Sequence, residues 1–96
     1  MTETYPEGTN LLEETFRHLT NRSIQLILRE TDEENFISAF RGSSMKLQKR
    51  LCDNLSDSFA LHLINVCLNE PMPDADAIIK AQHVMFSAYH KIMASG

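Results

Sequence analysis

Apolar residues recur along the chain at three- and four-residue intervals, and alternation never persists beyond three or four positions. That pattern predicts helices and no strands. Leu11, Leu12, Thr15, Phe16 and Leu19 mark a short first helix. Ile24, Ile27 and Leu28 line a second, capped by Thr20-Asn21 and stopping near Glu30. Thr31-Asp32-Glu33-Glu34 has the form of a capping box, with Thr31 or Asp32 as the cap and acids in the first turn. Phe36, Ile37, Ala39 and Phe40 supply the core of a third helix, which Gly42 ends in the C′ position. Ser43 or Ser44 opens a fourth, with the seam Leu47, Leu51 and Leu55.

The densest apolar run is FALHLINVCL, Phe59 to Leu68, which starts after Ser56-Asp57-Ser58 and stops at Asn69-Glu70-Pro71. Wound as a helix, Ser58, His62, Asn65 and Asn69 form one narrow polar stripe and every other side is apolar. Such a helix is expected at the centre of a small domain, wrapped by the others and showing the stripe to water or to a partner. Pro71 and Pro73 then hold an extended link. Asp74 and Asp76 open a last helix of about 20 residues, roughly 30 Å long, with the stripe Ile78, Gln82, Met85, Tyr89 and Ile92. The expected fold is all-α: a compact bundle of about six helices over residues 11–96 as one domain, behind a flexible tail at residues 1–10.

Composition narrows the function more than the fold. The chain has 96 residues, 43% hydrophobic and 23% charged, and a net charge of −4 with scattered lysines and arginines. Ninety-six residues can bury a modest core without staples. A nucleic-acid module usually carries a basic patch, which is missing. No apolar run reaches the roughly 18 residues of a membrane span. The opening MTETYPEGTN lacks the basic and apolar regions of a signal peptide, so a cytoplasmic location is expected, with Cys52 and Cys67 as reduced, partly buried thiols.

Catalytic chemistry finds no foothold. His18, His62, His83 and His90 form no HExxH pattern, and CxxC is absent. His83 and His90 could share a helix face, but no acid or cysteine stands beside them. The three glycines are dispersed and make no phosphate loop. The expectation is a protein that is not an enzyme and has no metal and no cofactor.

The order of short motifs is more informative than any one of them. RSIQLILRE at residues 22–30 is followed by Asp32, by Ala39-Phe40-Arg41-Gly42, by Lys49-Arg50-Leu51, by Asn54-Leu55-Ser56, by Ala60, by the proline turn and by Ala81-Gln82. This series resembles the C-terminal domain of the bacterial flagellar motor switch protein FliG. That family carries "RSIQ-x-LLRE-x-D", "A-L-K-G", "N-M-S-x-R-A-A", a "G-P-V" turn and a closing helix with "AQ". The resemblance covers residues 11–96. It implies an armadillo-like helical domain of the rotor ring, whose exposed helix meets the stator units, with no enzyme activity and no cofactor. It further implies a location at the cytoplasmic face of the flagellar basal body.

The charges depart from the family. Arg41 stands where the lysine of "A-L-K-G" would be and keeps its sign. The arginine of "S-x-R-A-A" falls on Ser58, the acidic pair on Asn65 and Val66, and the arginine after the turn near Met72 or Pro73. The expected partner-binding face is therefore Arg41 beside the neutral stripe Ser58, His62, Asn65 and Asn69. Its partners would be stator or other rotor and switch components, met by a monomer or by one part of a larger assembly. Neither nucleic acid nor membrane insertion is expected. Two other readings are a divergent accessory or regulatory protein of a secretion system, and a cytoplasmic sensing domain like the N-terminal one of a magnesium transporter. The latter would need acids gathered on one face, whereas the acids here mostly start helices.

Overall fold

The computed structural model describes residues 9–95. Among these residues six helices follow one another: α1 (Thr9–Arg17), α2 (Asn21–Glu30), α3 (Glu33–Arg41), α4 (Met45–Cys52), α5 (Asp57–Asn69) and α6 (Ala75–Ser95). Among the described residues there is no strand. Residues 1–8 of the expected tail lie outside the described residues, while Thr9 and Asn10 already belong to α1.

Side chains set most of the helix starts. Thr20 accepts from the N–H of Ser23 (3.1 Å), Asp32 from Asn35 (3.1 Å), Ser44 from Leu47 (3.2 Å), Ser56 from Phe59 (3.2 Å) and Asp74 from Ala77 (2.8 Å). Each such bond satisfies an N–H that has no partner inside its helix and is worth about 0.5–2 kcal/mol. Asp32 rather than Thr31, and Ser44 rather than Ser43, are the caps. Thr31 and Ser43 are buried, and their hydroxyls donate back to the carbonyls of Ile27 (2.9 Å) and Ala39 (2.8 Å). In both pairs one residue closes the preceding helix and the next opens the following one.

Gly42 caps α3 with φ −90° and ψ 1°, which is not the left-handed conformation. Glycine is required there for space, because an added Cβ would overlap Cγ2 of Ile78 in the first turn of α6. The end of α3 and the start of α6 thus meet with nothing between them.

The core gathers Leu12 and Phe16 of α1, Ile24 and Ile27 of α2, Phe36, Ala39 and Phe40 of α3, Leu47 and Leu51 of α4, Leu63 of α5, and Ala81, Met85 and Ala88 of α6. Helix α6 packs most closely on α3, then on α2 and α1. Its buried Ala81 and Ala88 carry no more than a methyl group, which lets neighbouring backbones come near. The central helix is therefore α6. The expectation that Phe59–Leu68 would be wrapped on all sides is overturned: α5 buries only Leu63 and Val66, and lies at the edge of a slab 37 × 35 × 21 Å. An apolar sequence can be covered by the same chain only where enough helices surround it, and the longer α6 already holds that place.

Candidate functional site

Helix α5 has three faces at 100° steps. Phe59, Leu63 and Val66 point to the core, where the ring of Phe59 lies tilted against that of Phe36 with centroids 5.8 Å apart. Ser58, His62, Asn65 and Asn69 form the expected polar stripe, and all four are exposed. The third face carries Ala60, Leu61, Ile64, Cys67 and Leu68, and it is also open: Leu61 is 62%, Ile64 52% and Leu68 76% exposed.

The five residues expected to form a partner face are divided. Arg41 and His62 line one open groove of about 560 Å³ between α3 and α5, together with Glu33, Glu34 and Glu70. His62 Nε2 lies 3.1 Å from Glu33 Oε2, and its ring stacks on Phe59 at 5.8 Å. Ser58, Asn65 and Asn69 do not line that groove and stand beside it on the outer surface of α5. Asn69 Nδ2 donates to the carbonyl of Asn65 (2.9 Å), which fixes that amide along the helix.

Arg41 has a structural task that the sequence does not reveal. Its Nη1 donates to the carbonyl of Pro71 and its Nη2 to that of Glu70, both at 2.9 Å. These carbonyls lie just past the last turn of α5, where partial negative charge accumulates and a cation is favourable. The half-buried guanidinium ties the end of α3 to the α5–α6 link, and so sets the tilt of α5. It is a bracket for the exposed helix as well as a charge beside it.

Among the described residues, two groups depart from their ordinary acidity. The side-chain amide of Asn35, then its backbone N–H, hold the Asp32 carboxyl below the usual carboxylate value. Burial, and after it the charges of Asp53 and Cys67, push the Cys52 thiol up. Cys52 is half-buried as expected. Cys67 is not: it is exposed, on the face of α5 that no other helix among the described residues covers. Among the described residues no group of three or more histidines, cysteines and acids could hold a metal ion, and no helix is long and apolar enough to cross a membrane.

Sequence reasoning missed the open apolar face. The signal was present in the spacing of Ala60, Leu61, Ile64, Cys67 and Leu68, but spacing cannot say whether an apolar side is covered by the same chain or left bare.

A family model describing the FliG C-terminal domain matches residues 11–96. No curated protein and no solved structure matches the chain. The all-helical fold agrees with that match, and the chain belongs to the FliG C-terminal domain family.

Proposed function

We propose that the chain is a non-enzymatic protein-interaction module acting in or beside the flagellar motor, at the cytoplasmic face of the basal body, and that it meets its partner through α5. The observation that carries this reading is the exposure of α5: it spans 13 residues, yet only Leu63 and Val66 are buried in the fold. Family membership supplies the setting, because the FliG C-terminal domain is a rotor and switch component. The contact face is the stripe Ser58, His62, Asn65 and Asn69, with Arg41 at its flank. Apart from Arg41 these positions carry no acid, lysine or arginine, so hydrogen bonds and shape dominate over charge. Exposed charges are screened beyond roughly 8–10 Å at physiological ionic strength, and a neutral stripe escapes most of that screening.

The test is titration of the purified protein with the stator's cytoplasmic segment and with the other switch proteins of the same cell. Asn65→Arg should abolish binding while the helical signal and melting temperature stay unchanged, since Asn65 is exposed. Binding of the unmodified protein should change only a few-fold between low and moderate salt. A hundredfold loss with salt, or binding indifferent to Asn65→Arg, would place the contact elsewhere.

A further inference from the structure

The fold brings the two cysteines of the chain to one place. Cys52 ends α4 and Cys67 stands in the last turn of α5, yet both line a single recess of about 180 Å³ between those helices. Its other walls are the apolar side chains of Phe40, Ala60, Leu63, Ile64 and Leu68. Cys67 is exposed and Cys52 half-buried. The thiols are near enough for the charge of one to act on the other: burial first, then Asp53, then Cys67 push the Cys52 thiol up.

Access and support differ between the two. An oxidant meets the exposed thiol first, and it is the thiolate that reacts. Burial keeps Cys52 as a thiol, which shields it from direct oxidation. A disulfide needs Cα atoms about 4.4–6.8 Å apart, so α5 must close on α4 across the recess. Helix α4 packs against α3 and α1 more closely than against α5, and α5 buries only Leu63 and Val66. The wall that must move is thus among the least supported parts of the fold, where local motion costs least. In a reducing compartment such a pair rests as two thiols and closes only when an oxidant arrives.

We propose that Cys52 and Cys67 form a peroxide-sensitive pair, in which hydrogen peroxide oxidises Cys67 and Cys52 then converts it to a disulfide that staples α5 to α4. In the first step the Cys67 thiolate attacks one oxygen of the peroxide. The O–O bond breaks, hydroxide leaves and takes the thiol's proton as water, and Cys67 becomes a sulfenic acid. In the second, Cys52 Sγ gives up its proton and attacks Cys67 Sγ. The S–O bond breaks, hydroxide leaves with that proton as a second water, and the S–S bond forms. The two thiols together supply the two electrons that reduce the peroxide. The pair lies apart from the polar stripe, so this proposal stands independently of the partner contact proposed above.

The experiment treats the reduced full chain with hydrogen peroxide and follows intact mass and peptide maps without reductant. Cleavage after acidic residues separates the two cysteines at Asp53 and Asp57. The expected product is a monomer lighter by two hydrogens, with the Cys52 and Cys67 peptides joined, and a thiol reductant restores the starting mass. In Cys52→Ser, Cys67 should stop at the sulfenic acid and be trapped by dimedone. In Cys67→Ser, an exposed change that spares the fold, Cys52 should stay a free thiol at the same dose. Amide exchange across Leu61–Leu68 should slow roughly tenfold in the oxidised protein, as expected when an edge helix is tethered. Dimers joined through Cys67 of two chains, or Cys67 oxidised in the unmodified protein while Cys52 stays free, would overturn the pair. A disulfide that leaves exchange in α5 unchanged would overturn the staple.

Discussion

Single residues hold this fold at its junctions. Gly42 is the clearest case, because its replacement forces a methyl group into Ile78. Gly42→Ala should destabilise the protein by about 1–3 kcal/mol through overpacking. Ile78→Ala removes the obstructing Cγ2, so the double variant should lose less than the sum of the two single losses. Denaturant melts of the four proteins measure this, and strict additivity would count against the contact. Asp32 offers a second test. Asn35 lowers its carboxyl in the folded protein. The stability it adds is therefore present above the unfolded-state value, near pH 4, and is lost as pH falls through the lower folded-state value. The gap in melting temperature between the unmodified protein and Asp32→Ala should be constant above about pH 5 and shrink as pH falls below about 4. The caps themselves were legible from sequence, since Thr20, Ser56 and Asp74 bond only within their own turn. The choice of Asp32 over Thr31 and of Ser44 over Ser43 was not, because both residues of each pair can cap and only the closure of the preceding helix assigns them.

At the scale of elements, α5 combines a buried edge with two open faces. Leu63 is 1% exposed and Leu68 76%, although both stand in the same apolar run. Leu63→Ala should cost about 2–5 kcal/mol, whereas Leu68→Ser should change stability by no more than about 0.5 kcal/mol. In melting temperature, each kcal/mol corresponds to about 4–8 °C for a domain of this size. Comparable losses at the two positions would mean that α5 is wrapped on both sides. The sequence marked α5 as a helix and gave its polar stripe correctly, because periodicity is a property of the helix alone. It could not distinguish Leu63 from Leu68, because coverage depends on where the other helices lie.

For the whole molecule, α6 is the axis on which α1, α2 and α3 assemble, and α5 is held mainly by side chains at the edge. Local opening follows that difference in support. Amide hydrogen exchange should be slowest between Ala81 and Ala88 of α6 and measurably faster across Leu61–Leu68 of α5. The reverse order would show α5 to be part of the cooperative core.

Helix number, most helix bounds to within a residue or two, most caps and the inward stripe of α6 were determined by the sequence itself, because they follow from spacings of three and four residues and from hydrogen bonds within one turn; α4 is the exception, ending at Cys52 with Asp53 as its cap, so that Leu55 of the expected seam lies beyond the helix. The family was also legible there, in the order of short motifs from Arg22 to Gln82. Only the tertiary structure decided that α6 rather than α5 is central, that Gly42 is a matter of space, that Arg41 braces the end of α5, and that Leu61, Ile64, Cys67 and Leu68 face outward. Each of these depends on contacts between residues far apart in the chain, such as Arg41 with Pro71 and Gly42 with Ile78, and no local pattern encodes which distant surface will arrive.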